Sequence, residues 1–148
     1  MSSFRNYNIP GAGGPSPMVA AFWDDLKVGH NNSAKVYKYV TDEYVVIQWY
    51  EVETYQNDSD NNFQIIIYNP NYQSHSTPTG DGEIKIQYRE FNNTSQGDYS
   101  QYTPIHGCYA TVGIENQFGN VGLEYTFDNE YPESNMVLYG ESGGSPGA

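Results

Sequence analysis

Along this chain, apolar and polar positions alternate in short runs broken by Gly, Pro, Asn and Asp, the pattern of strands joined by turns. From Ala34 to Thr41, Val36, Lys38 and Val40 share one face, while Lys35, Tyr37 and Tyr39 share the other. Asp42-Glu43 is a tight connection into Tyr44–Glu53, a β-branched and aromatic run that is apolar on both faces. That run predicts a central strand covered on both sides. The cleanest alternation follows the turn at Thr79-Gly80-Asp81-Gly82, where glycine supplies positive φ. It sets Ile84, Ile86 and Tyr88 inward against Glu83, Lys85, Gln87 and Arg89 outward. Further strands are predicted over Met18–Trp23, Asn62–Asn69, Cys108–Glu115 and Val121–Phe127, with a weaker one over Asn135–Tyr139. No longer stretch shows a capped helical stripe, so about seven or eight short strands predict an all-β fold, an antiparallel sandwich or jelly roll.

The punctuation of the chain predicts its organisation. Residues 1–17 form a Pro/Gly-rich segment, residues 18–139 the sandwich domain, and residues 140–148 a flexible Gly/Ser/Pro tail. Asn92 to Gly107 reads as a long polar loop. A chain of 148 residues suits a single hydrophobic core.

Charge narrows the partners. Six Lys and Arg against 18 Asp and Glu give a net charge of −12, which repels phosphate backbones and anionic lipid. Nucleic acid is therefore not an expected partner. Membrane insertion is not expected either, because no apolar run approaches the roughly 20 residues a spanning helix needs. Cations, other protein domains, copies of the chain itself and glycans remain. Cys108 is the one cysteine, so no internal disulfide forms and thiols say nothing about compartment.

Five short blocks stand in sequence along the chain: Pro17-Met18-Val19-Ala20-Ala21-Phe22-Trp23-Asp24-Asp25-Leu26, Ile47-Gln48-Trp49, Asn62-Phe63-Gln64, Gly82-Glu83-Ile84 with Tyr88, and Ala110-Thr111-Val112-Gly113-Ile114-Glu115-Asn116. In kind and order they are similar to those of nidogen-like domains of secreted, multidomain bacterial proteins, whose set opens with an "APFWDDL"-type strand. The resemblance covers roughly residues 4 to 127 and implies a secreted or cell-surface β-sandwich with no catalytic residues. Its export signal is expected outside these residues. Such domains carry a strand or two ahead of the Arg5-Asn6-Tyr7 segment. An unpaired sheet edge is therefore expected, to be filled from a longer chain or by strand addition from another molecule.

Candidate chemistry is thin. Asp24 and Asp25, with Asn31 in the following loop, offer hard oxygen ligands for calcium; as a plain alternative, the two carboxylates cap a turn. Asp58, Asp60 and Asn61 read as a solvated acidic loop. Glu51, Glu53, Glu115 and Glu124 would be the carboxylates of a glycanase, which needs two facing each other across a cleft, yet each also fits the solvent side of a strand. His106 and Cys108 share a strand face without the geometry of a thiolate–imidazole pair, and His30, His75 and His106 are too scattered for zinc. The 15 tyrosines exceed what one small core can hold, so some are expected at the surface, Tyr99 and Tyr102 foremost as ligand-binding rings. The sequence thus predicts a non-catalytic extracellular module for adhesion or assembly, with self-assembly by strand complementation among its forms. A carbohydrate-binding module is the alternative, with a jelly-roll glycanase behind it.

Overall fold

The computed structural model describes residues 5–11, 13–29, 32–55, 59–94, 99–100, 103–104, 109–127 and 137–141. In chain order the strands are β1 (Met18–Trp23), β2 (Leu26–Val28), β3 (Lys35–Val40), β4 (Tyr44–Thr54), β5 (Asp60–Tyr68), β6 (Glu83–Glu90), β7 (Tyr99–Ser100), β8 (Thr103–Pro104), β9 (Thr111–Glu115), β10 (Gly122–Thr126) and β11 (Val137–Glu141). A single 3-10 turn, Gln73–His75, precedes β6. The fold is all-β and fits a sandwich of two antiparallel sheets. The larger sheet has six strands in the order β11-β6-β5-β4-β2, with β3 also on β4; the smaller has three, with β9 between β1 and β10. β7 and β8 form a separate small hairpin.

β4 organises the larger sheet because two strands share one of its sides in succession. β3 pairs with Val45–Tyr50, and β2 pairs with Val52–Thr54. Between these lies Glu51, in the left-handed region at φ 51. It is the extra residue of a bulge: Trp49 faces Phe63 of β5 while Val52 faces Asn61. Asn62 satisfies the bulge, its Oδ1 accepting the Glu51 N–H at 3.1 Å while its amide donates to the Glu90 carboxylate on β6.

Cross-strand partners share a face, so the register gives three rows across β3, β4, β5 and β6. These are Val36–Trp49–Phe63–Tyr88, Lys38–Ile47–Ile65–Ile86 and Val40–Val45–Ile67–Ile84. The β5 and β6 ends of these rows meet the smaller sheet. Phe22 of β1 packs at 5.6 Å from Phe63 and 4.5 Å from Phe91, and Tyr88 stands edge-on to Phe91 at 4.6 Å. Ala21, Ala110 and Val112 close the layer. The Tyr88 hydroxyl donates to the Ala21 carbonyl at 2.5 Å, and desolvation in this interior raises the phenol's pKa.

The N-terminal segment is strapped across the smaller sheet instead of hanging free. Asn6 donates to the Tyr109 carbonyl at 2.6 Å and to Thr111 Oγ1 at 3.0 Å, and Thr111 Oγ1 donates to the Tyr7 carbonyl at 2.9 Å. Glu124 accepts the Ile9 N–H and Glu115 accepts the Gly11 N–H, each at 2.7 Å, while Ser16 donates to Glu115. Buried Ile9 fits because β10 begins with glycine: a Cβ on Gly122 would lie 2.8 Å from Ile9 Cγ2.

Three expectations change. β2 was not foreseen, since three residues carry too little alternation to read. β11 ends at Glu141, two residues into the expected tail, because it follows the register of β6 through Glu83. β4 is central in its hydrogen bonding, but Tyr44–Glu51 are half-buried and not covered on both faces. Cys108 lies outside the described residues.

Replacing Tyr88 by Phe keeps the ring and orphans the Ala21 carbonyl in the core. The expected loss is about 1–3 kcal/mol, read as a lower urea midpoint with an unchanged denaturant slope.

Candidate functional site

The smaller sheet does not reach the β3 side of the larger one. On the inner face, where a sandwich core would continue, Val36 is 60% exposed, Val40 55% and Ile67 39%. On the outer face Tyr37 is 52% and Tyr39 60% exposed. β3 therefore has every residue exposed, and among the described strands it pairs with β4 alone. The Thr41 N–H donates to the Tyr44 carbonyl at 2.9 Å, which sets the phase of the hairpin ladder. Since narrow and wide pairs alternate, Lys35, Tyr37 and Tyr39 bond to β4, and the N–H and C=O groups of Val36, Lys38 and Val40 face the open edge.

The hairpin tip that carries β3 is pinned. Asn69 donates its N–H to the Glu43 carbonyl at 2.7 Å and its amide to the Asp42 carbonyl at 2.8 Å. His75 Nε2 lies 3.1 Å from Glu43 and Nδ1 3.2 Å from Glu83, with its ring stacked on Tyr68 at 3.9 Å. Each ring nitrogen thus faces one carboxylate, tying the hairpin tip to β6.

The outer face is a patterned aromatic and amide surface. Tyr39, Tyr44 and Tyr68 form a row across β3, β4 and β5, with ring centroids 6.3 and 6.0 Å apart, ending on His75. Beside it runs Tyr37–Gln48–Gln64–Gln87, in which Gln64 donates to Gln87 at 2.7 Å. Tyr37 also meets Tyr50 at 6.3 Å, and the Glu51 carboxylate, hydrogen-bonded to Tyr50, raises that phenol's pKa. These rings were missed as surface candidates because strand tyrosines of either face look alike until the covering sheet is placed.

Only some of the residues singled out by sequence are among the described ones. Tyr99 stands in β7 with its backbone paired to Pro104, whereas Tyr102 and Asn31 lie outside the described residues, as do His30, His106 and Asp58. Asp24 is buried just after β1, where its Oδ1 accepts the Asp25 N–H at 2.7 Å and its Oδ2 has no hydrogen-bond partner among the described residues. Asp25 turns its carbonyl to the Tyr55 N–H at 2.8 Å. Asp60 is exposed, and Asn61 is buried with its Oδ1 accepting the Asn92 N–H at 2.6 Å. Among the described residues no three His, Cys, Asp or Glu side chains group as a metal site. Of the strand glutamates, Glu115 and Glu124 hold the N-terminal strap, Glu53 lies 3.8 Å from Lys27, and Glu51 sits in the bulge.

A family model described as NIDO related matches residues 1–138. No curated protein and no solved structure matches the chain. No helix among the described residues is long and apolar enough to cross a membrane.

Burial raises the Asp24 carboxyl from its ordinary 3.8 to about 7, against the lowering effect of the Asp25 N–H. The folded state thus holds this proton more tightly than the unfolded chain. The stability it confers is complete below the unfolded pKa of about 4 and is lost as pH rises through about 7. Asp24→Asn should remove that slope, making the variant more stable than the parent by a few kcal/mol above neutrality and similar near pH 4. Urea midpoints of the two proteins between pH 4 and pH 8 check it.

Proposed function

The chain belongs to the NIDO-related family, and on that premise we propose that it is a non-catalytic extracellular module that docks other protein chains in adhesion or assembly. The observation that carries this reading is the outer margin of β3, with which no described strand pairs. A strand whose outward backbone groups no described strand takes up, with exposed Val36, Val40, Tyr37 and Tyr39, is a template for strand addition. The hairpin tip is anchored by Asn69 and His75, so the template is held in shape before a partner arrives. The use of Glu115 and Glu124 as acceptors for the N-terminal strap supports the non-catalytic part.

A displayed library of extended peptides, selected on the chain, tests the docking. Val36→Pro removes one outward N–H that β4 does not use, so the fold should survive while strand addition fails. Enriched peptides should bind the parent and lose at least tenfold on Val36→Pro. No enrichment, or binders indifferent to that change, would overturn the reading.

The outer tyrosine and glutamine rows favour a second reading, a glycan-binding face, since rings stack on sugars and amides bond their hydroxyls. Calorimetry against a glycan panel should then show heat that Tyr37→Ala or Tyr39→Ala weakens about tenfold. Silence across the panel removes this reading.

A further inference from the structure

Lys38 sits in the middle of an otherwise apolar row of side chains. On the inner face of β3 the order is Val36, Lys38, Val40, and the row continues inward through Ile47, Ile65 and Ile86, the last two buried. Its backbone N–H and C=O face the open edge, as do those of the two valines. Among the described residues no carboxylate forms an ion pair with Lys38.

A lysine at this place acts on any strand that joins the edge. A two-fold pairing of β3 with β3 of a second copy keeps inner faces on one side, so opposed residues must have numbers of equal parity. Centring that pairing on Lys38 sets two ammonium groups side by side. Centring it on Tyr37 sets Lys38 against Val36 of the copy, leaving both ammonium groups over apolar side chains. An inward-pointing charge on an edge strand is a known barrier to such self-pairing.

The same charge favours a different strand. Resting on the docking reading above, we infer that the β3 edge selects an extended acidic segment of another protein. In that segment a carboxylate lies opposite Lys38, with aliphatic residues two positions before and after it, opposite Val36 and Val40. The pattern aliphatic–any–acidic–any–aliphatic is symmetric, so it fits either strand direction. The incoming carboxylate meets its counter-ion, its flanking side chains cover valines now open to water, and its backbone takes up the hydrogen bonds of the edge.

The chain's charge of −12 does not cancel this preference. At 0.15 M salt the screening length is about 8 Å. The nearest acidic residues along the hairpin, Asp42 and Glu43, are four and five positions from Lys38, roughly 13 Å or more at 3.3 Å per residue. The incoming carboxylate therefore responds to Lys38 before it responds to them.

The test uses three synthetic peptides, acetyl-Thr-Val-Thr-X-Thr-Val-Thr-amide with X as Glu, Gln or Lys, titrated at 0.15 M salt and followed by NMR shifts of the β3 amides. The parent chain should bind the Glu peptide about tenfold more tightly than the Lys peptide, with Gln between them. Lys38→Glu should invert the order and Lys38→Val should flatten it, each variant being checked for an unchanged strand spectrum. Equal binding of the three peptides by the parent, or a preference for Lys, would sink the inference. If no peptide of the series binds while the library yields binders sensitive to Val36→Pro, the acidic pattern is wrong and the docking edge stands. If the library fails as well, the docking reading falls with it.

Discussion

The structure turns on a mismatch of widths. Level with Lys38 the larger sheet is five strands across, with β2 farther along the lane that β3 occupies beside β4, and the smaller sheet is three across. At about 4.8 Å per strand the first measures roughly 24 Å and the second roughly 14 Å. Three strands cannot cover five. The cover is placed where the aromatic rings are, over Phe63, Tyr88 and Phe91, and the β3 lane is left as a single layer. The exposed valines of that lane follow from this arithmetic.

The uncovered lane survives because its backbone is secured from the side and from the tip. β3 is hydrogen-bonded along its whole length to β4, and β4 in turn is locked to β5 on both sides of the bulge. The bulge itself lets β4 serve two neighbours of different register, with Asn62 supplying the acceptor that the displaced Glu51 amide requires. A polar side chain at a strand position is usually read as solvent-facing; here it is buried and completes a ladder.

Much of the fold was legible in the chain. The period of two placed Ile84, Ile86 and Tyr88 inward and separated Val36, Lys38 and Val40 from their neighbours, because strand geometry makes facing a local property. The family blocks marked where β1, β4, β5, β6 and β9 lie along the chain. Covering is not local, and there the reading ran out. Tyr44–Glu53 carries apolar residues on both faces, which suits burial on both sides or a single layer waiting for a partner, and only the reach of β1, β9 and β10 decides between them. The described residues ahead of β1 form no strand, in keeping with their prolines and glycines. Their anchoring to Glu115 and Glu124, more than 100 residues away, leaves no trace in their own composition. The site was legible least of all: Tyr37 and Tyr39 stand exposed on a regular strand, where alternation alone does not tell an open face from a covered one.

The smaller sheet also dictates when this domain can come into being. Met18 of β1 pairs with Glu115 of β9, so β1 waits for β9 until nearly a hundred further residues have been synthesised. At 5–20 residues per second that is a wait of roughly 5–20 s, with Val19, Ala20, Ala21 and Phe22 unsheltered throughout. The β3–β4–β5–β6 meander joins sequence neighbours and can form meanwhile, offering its aromatic face before the lid exists. The newborn chain is therefore a half-built sheet for longer than it takes most small domains to finish. Its passage through that stage depends on whatever keeps Phe22 and Phe63 from meeting the wrong surface first.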